Sequence, residues 1–259
     1  MNSSDFRAEA RKKLEGKWGK VAIITLAYMA LFFVLGFIEG LFKEGSVIQS
    51  IWSIAVAVIE VPLAFGLVIS LFKVFNSEDV KAFDFFMLGL NNFAKSWKIA
   101  LRILLKMIIP IILIVVSIFL MSLGLIAGTA SALLSNSSSV GIFIFVVIGF
   151  ILYIVSIVWA IMLQYYYLLA YIIAADKPEL TAKQAVEESK KIMTGSRGKL
   201  FCLQFSFIGW AILAALTLGI GYLWLLPYMQ FSIFAFYKKL FENNNVEVEA
   251  NVENDNPIK

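Results

Sequence analysis

Glu60 is the residue best placed to do chemistry: it is an ionisable group near the centre of an apolar stretch running from about Ile48 to Val74. A charged side chain at mid-bilayer depth costs roughly 2.5–3.5 kcal/mol on insertion scales, so such groups face a bundle interior or water and take a partner. Pro62 and Gly66 follow on the same stretch. Proline frees a backbone carbonyl and glycine admits a close neighbour, which predicts a locally distorted helix. Interrupted helices at the midplane are where many transporters hold their substrates. The candidate partners are Arg102 and Lys106, one to two turns inside the next apolar stretch, with Gln164, Tyr165 and Gln230. Glu60, Pro62, Arg102, Lys106, Gln164, Tyr165 and Gln230 therefore form the candidate binding or pathway set. The competing reading makes Glu60 a protonated packing residue, hydrogen-bonded to a neighbouring helix, while Arg102 and Lys106 snorkel to the inner headgroups.

The remaining inventory argues against catalysis. Histidine is absent, which removes the commonest general base and transition-metal ligand. A single cysteine, Cys202, excludes an intramolecular disulfide and a thiolate metal cluster. It reads as a small hydrophobe within an apolar stretch. The acid pairs Asp176 with Glu179 and Glu187 with Glu188 lie in a basic-flanked, solvated segment. Gly219-Ile220-Gly221 has no strand before it and reads as a hairpin turn, not a phosphate loop. Glu39 and Lys43 are spaced as an i,i+4 pair, and the Tyr165-Tyr166-Tyr167 run and Trp18, Trp52, Trp97 and Trp224 read as packing and interface residues. The expectation is a non-enzyme with no cofactor and no metal.

Apolar helices must position these residues. Of 259 residues, 61% are hydrophobic and 15% charged, against about 45–50% and about 25% in a soluble domain. The mean hydropathy is +0.86. Every Lys and Arg except Lys43 falls in, or within about two turns of, one of four segments, namely the amino terminus, every second loop and the carboxyl terminus. Cationic loops stay cytoplasmic during insertion. The pattern predicts an all-α polytopic membrane protein with six transmembrane helices at about 21–41, 48–74, 99–127, 141–174, 200–216 and 221–239, both termini cytoplasmic. The fourth is overlong and should tilt, bend near Gln164 or project into the cytoplasm. Residues 1–241 make one membrane domain, and the Asn-rich, acidic 242–259 reads as a disordered tail. The formal charge of +4 implies anionic lipid headgroups at the cytoplasmic face and no nucleic acid, because the basic residues flank apolar spans.

The cytoplasmic segments read as amphipathic interfacial helices. Phe6, Ala10, Leu14 and Trp18 recur at steps of four among basic residues, predicting a helix on the inner membrane surface. Ser77 can cap a second helix whose apolar face is Val80, Phe83, Phe86, Met87 and Leu90. Thr181 with Gln184 makes a capping box for a third, with Ala182, Ala185, Val186, Ser189, Ile192 and Met193 on its apolar face, Glu187 and Lys191 paired, and Gly195 closing it. Each helix leads to a basic, aromatic stretch (Gly16-Lys17-Trp18, Lys95-Ser96-Trp97, Gly195-Ser196-Arg197) and then an outward span. Pro62 precedes Phe72-Lys73 at the interval by which Pro227 precedes Tyr237-Lys238. The order predicts three tandem repeats of surface helix plus transmembrane hairpin. Chance likeness among basic loops and apolar spans is the alternative. The outer turns, at Phe42 to Val47, Ser135 to Ser139 and Thr217 to Gly221, are short.

Several clusters carry a family likeness. They include Arg7-Ala8-Glu9-Ala10-Arg11 with Gly16-Lys17-Trp18, then Glu187-Glu188-Ser189-Lys190-Lys191-Ile192-Met193-Thr194-Gly195, Ser206-Phe207-Ile208-Gly209-Trp210, Leu218-Gly219-Ile220-Gly221, Leu226-Pro227-Tyr228 and Phe236-Tyr237. As a set they resemble a family of bacterial integral membrane proteins, domain of unknown function 975. That family is similar to the membrane domain of some glycerophosphodiester phosphodiesterases. This sequence has no phosphodiesterase domain, and the fourth span departs from the pattern with Gln164 in place of proline. The resemblance implies a bacterial plasma-membrane location, and it supplies no activity and no site residues.

Two functions fit these features. One is a small transporter, or an export or resistance accessory, handling a lipid, peptide or amphiphile. The other is a non-transporting scaffold or bilayer-stress protein that binds a membrane-protein partner through its amphipathic helices.

Overall fold

The computed structural model describes residues 2–133 and 139–255. The fold is all-α. In chain order the helices are α1 (Ser3–Leu14), α2 (Trp18–Gly40), α3 (Val47–Phe75), α4 (Asp84–Asn91), α5 (Phe93–Leu133), α6 (Ser139–Tyr167), α7 (Ala170–Asp176), α8 (Ala182–Met193), α9 (Arg197–Phe205), α10 (Ile208–Leu216) and α11 (Tyr222–Asp255). Five helical stretches are long and apolar enough to cross a membrane: Trp18–Gly40, Val47–Phe75, Phe93–Thr129, Phe143–Asp176 and Arg197–Leu216. The polar turn expected around residues 135–138 lies outside the described residues.

The chain forms two compact units. One comprises the chain up to Ala100 and from Leu168 onward, the other Leu101–Tyr167. The second unit is a helical hairpin. Its close contact is Gly149, where an added Cβ would stand 3.1 Å from the Met121 backbone nitrogen and the Ser117 carbonyl oxygen. Ser117 and Ser156 are buried there, and each hydroxyl donates to the carbonyl four residues back, so neither leaves a polar group unpaired.

The first unit has an aromatic core where α7 meets the carboxyl-terminal half of α3 and the middle of α11. Phe65 packs on Tyr171 at 5.5 Å, Phe72 on Phe234 at 5.1 Å and Phe75 on Phe231 at 5.4 Å, the last two edge to face. Each such pair is worth about 0.5–1.5 kcal/mol beyond its buried area. The short helices pack on these three in a regular order: α4 on α3, α8 on α7 and α11, and α1 on α11.

The stripe Phe6, Ala10 and Leu14 was expected to face lipid. It is buried against protein instead, with Phe6 edge to face on Phe236 at 5.2 Å. An apolar stripe reveals that a face is covered and not by what. α4 begins at Asp84 and not at Ser77, whose φ of 68° places it in a turn after α3. The Asp84 carboxylate accepts from the Lys81 backbone N–H just ahead of the helix. Phe85 and Gly89 are the buried residues of α4, while Phe83 and Met87 are exposed. Gly66 of α3 and Gly89 of α4 meet at a crossing so close that an added Cβ on Gly66 would lie 2.0 Å from the Phe85 carbonyl oxygen.

α8 follows the sequence pattern closely. Thr181 and Gln184 form the capping box, all six expected apolar-face residues are buried, and Gly195 has φ of 85° just past the last turn. Thr181→Ala should lower the melting temperature by an amount equivalent to about 1 kcal/mol, since it removes the acceptor for a first-turn N–H. An unchanged melt would show that the cap contributes nothing. Glu187 pairs weakly with Lys183 at 3.9 Å rather than with Lys191, and Glu188 binds Lys177 at 2.9 Å.

Three further elements differ from expectation. The fourth stretch breaks at Leu168–Leu169, between α6 and α7, rather than near Gln164. The fifth breaks at Ser206–Phe207, where the Ser206 hydroxyl donates to the Leu203 carbonyl at 2.6 Å. The stretch expected at 221–239 lies in α11, which is not among the five apolar spans. Its Tyr, Pro, Gln, Ser and Lys residues lower its hydropathy, and Phe231, Phe234, Phe236 and Tyr237 are buried in the aromatic core. α11 also continues to Asp255, into the segment whose composition predicted disorder. Once a buried segment has nucleated a helix, each added residue gains one hydrogen bond, so extension is easier than initiation.

Candidate functional site

A cleft of about 430 Å³ opens among α1, α2, α10 and α11. Arg11, Trp18 and Tyr228 line one part and Thr217 and Gly221 another, with Trp210, Leu213, Ala214, Trp224 and Leu225 along it. Its size falls within the ~300–1,000 Å³ of small-molecule sites. Each element is fixed by a local device. Tyr228 is held from both sides, accepting from Arg11 Nη1 at 2.9 Å and donating to the Arg7 carbonyl at 3.4 Å. Its ring stands edge to face on Phe207 at 5.1 Å and tilted against Trp18 at 5.9 Å. At the other end Thr217 Oγ1 donates to the Ala214 carbonyl at 2.7 Å and accepts from Gly221 N at 2.8 Å. Leu218 and Gly219 turn the chain with φ of 55° and 87°. Gly221 allows α10 and α11 to touch, since a Cβ there would be 2.8 Å from Ala214 Cα.

The cleft is apolar apart from one end. No carboxylate lines it among the described residues. Among the described residues neither Arg7 nor Arg11 forms an ion pair, and Arg7 Nε is buried without a hydrogen-bond acceptor. Trp210, Leu213 and Trp224 are 55%, 56% and 46% exposed, so the wall is open along its length.

The residues singled out in the sequence are divided between the two units. Glu60, Pro62 and Gln230 belong to the first, Arg102, Lys106, Gln164 and Tyr165 to the second. Glu60 is exposed on α3 within electrostatic reach of Tyr28, and no hydrogen bond or ion pair to it forms among the described residues. Pro62 is buried at the α4 crossing, its carbonyl 2.5 Å from where a Gly89 Cβ would be, and α3 continues through it as helix. Gln230 is half-buried on α11. Arg102 and Lys106 are exposed on α5, as is Gln164 on α6, and Tyr165 is half-buried. Glu39 accepts from Ser53 at 2.6 Å rather than pairing with Lys43, because α2 ends at Gly40 and takes Lys43 off the helical face. Cys202 is exposed.

A second polar region lies at the carboxyl ends of α3 and α7. Lys17 donates to the Val74 carbonyl at 3.1 Å and to Ser77 Oγ at 2.9 Å, and Lys95 to the Ala174 and Pro178 carbonyls at 3.2 and 2.9 Å. A cation at a helix carboxyl end meets unpaired carbonyls and the negative end of the dipole. Burial, and then the nearby Lys13 and Lys20, push the Lys17 ammonium below the ordinary lysine range. Sequence reasoning placed Lys17 and Lys95 in equivalent motifs and missed this shared role, which depends on where the returning helices end.

The family described as protein of unknown function (DUF975) matches residues 1–244. The chain belongs to the DUF975 family. No curated protein and no solved structure matches this DUF975 chain. The matched range contains every cleft residue, the whole of the second unit and the entire set read from the sequence. The DUF975 cleft was not legible in the sequence, since Arg11 and Tyr228 are 217 residues apart.

Proposed function

We propose that this DUF975 protein is a small bacterial plasma-membrane transporter, or an export or resistance accessory, that handles a membrane amphiphile. The observation carrying this reading is the cleft: an apolar, tryptophan-rich groove with a guanidinium at one part and no counter-charge in its lining. Ligand sites have mostly apolar walls and a few fixed polar groups that orient what they hold. Glu60 supports the same reading. A carboxylate on an apolar helix without a protein hydrogen bond suits a pathway role better than packing glue.

The topology belongs to the proposal. The five apolar stretches plus α11 make six crossings, with both termini at the cytoplasmic face where the cationic segments lie. The three-repeat reading gains support from shared local geometry. Gly16 and Gly195 both take positive φ, 73° and 85°, after a surface helix. Lys17 and Lys95 both cap a returning helix. Each returning helix also receives a surface helix, with α11 closing back on α1.

The test is flux or lipid scrambling in proteoliposomes of wild type, Glu60→Ala and protein-free controls. Wild type should exceed the control at least severalfold, and Glu60→Ala should fall toward it. Equal leakage from all three would remove the transport reading. The scaffold reading has one observation in its favour: Phe83, just ahead of α4, and Met87 on it stand 68% and 59% exposed. The apolar face of α8, another of the amphipathic helices, is buried within this chain. A stable cross-linked partner lost on Phe83→Ser would favour the scaffold.

A further inference from the structure

We propose that the cleft among α1, α2, α10 and α11 is an anion-selective site for a single-chain amphiphile, with the acidic headgroup on Arg11 and the chain along Trp210, Leu213 and Trp224. This rests on the amphiphile reading above and adds the ligand's charge, its chain number and its orientation. The charge follows from Arg11. Its guanidinium has five N–H donors, and the bond to Tyr228 uses one of its nitrogens. No carboxylate lines the cleft, and no ion pair to Arg11 forms among the described residues. One turn away on α1, Arg7 Nε is a buried donor that lacks an acceptor. Arg11 is exposed at the cleft, where an unpaired cation beside an apolar wall recognises an acidic group, and a guanidinium fork fits a carboxylate or phosphate with two parallel bonds.

The chain number follows from the space. A cavity of about 430 Å³ is at the small end of the ~300–1,000 Å³ range of ligand sites, suited to one acyl chain rather than two. The orientation follows from the order of residues along α11. Tyr228, beside Arg11, lies seven residues from Gly221, or about 10 Å at ~1.5 Å per residue. The wall between them carries Trp224 and Leu225, opposite Trp210, Leu213 and Ala214. Tyr228 orients the guanidinium and is itself anchored by the Arg7 carbonyl.

Trp18, Trp210 and Trp224 line the cleft, so binding is readable from intrinsic fluorescence. The full chain in maltoside micelles is titrated with a bromine-labelled fatty acid and with the matching bromine-labelled alcohol. The acid should quench saturably and bind about tenfold more tightly than the alcohol, the scale of a charge-assisted hydrogen bond. Arg11→Gln should bring the acid to the alcohol's level, and Arg11→Lys should restore part of the difference. Leu213→Trp, at an exposed wall position, should abolish saturable quenching by both. Acetate and inorganic phosphate should not displace the acid.

Equal affinity for acid and alcohol, unchanged in Arg11→Gln, would overturn the anion assignment while leaving an amphiphile cleft. Displacement by inorganic phosphate alone would overturn the chain assignment in favour of a free-anion site. No saturable quenching by either probe in the folded wild type would overturn this inference and the cleft reading together.

Discussion

Gly66→Ala is expected to unfold the α3–α4 crossing and to produce the largest loss of stability of any single-methyl addition in this protein. The new Cβ would stand 2.0 Å from the Phe85 carbonyl oxygen, 2.6 Å from Gly89 N and 2.8 Å from Gly89 Cα. All three are backbone atoms, so no side-chain rotation relieves the clash. The crossing is tight from the other side too, since a Cβ on Gly89 would meet the Pro62 carbonyl oxygen at 2.5 Å. Accommodating the methyl requires α4 to move off α3, which uncovers Phe85, a fully buried ring edge to face on Tyr28 at 5.6 Å. Overpacking combined with loss of a core aromatic belongs to the rare class costing about 4 kcal/mol or more. That is a large share of a domain's typical ~5–15 kcal/mol. Gly209→Ala is the matched control, because a Cβ there meets nothing within 4 Å. The measurement is thermal unfolding in detergent. Equal melting temperatures for the two variants would refute the close crossing.

Asp176→Ala should produce the second large effect. Asp176 joins α7 to α11 at one end of the aromatic core: Oδ2 accepts from Tyr237 Oη at 2.8 Å and Oδ1 pairs with Lys238 Nζ at 2.9 Å. Tyr237 is fully buried. Removing the carboxylate strands a buried hydroxyl, at about 1–3 kcal/mol. The Lys238 contribution is smaller because that side chain is 36% exposed and solvent screens it. The expected total is about 2–3 kcal/mol, read as a lower melting temperature. Tyr237→Phe separates the parts. Once the hydroxyl is gone, Asp176→Ala should cost about 1–2 kcal/mol less than it does in the wild type. Strict additivity of the two substitutions would show that the hydrogen bond contributes nothing to the fold.

The legible parts of this fold were those governed by local rules. The Thr181 cap and the face from Ala182 to Met193 follow from hydrogen-bond chemistry and helical period within a dozen residues, and α8 forms as they dictate. Gly66 carried a signal as well, since a glycine one turn from a proline on an apolar helix admits a close neighbour. Its partner was harder, because Gly89 lies on another helix, α4, and no local rule joins the two. The stripe of Phe6, Ala10 and Leu14 was read as lipid-facing, and it packs on α11. Lipid tails and leucine side chains are equally apolar, so in a membrane protein periodicity cannot distinguish the two coverings.

The candidate site was less legible than the fold for the same reason. Glu60 stands out in any hydropathy reading because one charge interrupts a long apolar run. Arg11 was one cation among several in a basic segment, and only the placement of Tyr228 separates it from Lys12 and Lys13. Lys17 and Lys95 likewise resembled interface charges until the ends of α3 and α7 were known.

The seating of α1 on α11 has a consequence for biosynthesis. Phe6 rests on Phe236, and Arg11 on Tyr228 across 217 residues. α1 therefore lacks its largest packing surface until α11 has been made. Until then its greasy side must shelter against the bilayer or a chaperone.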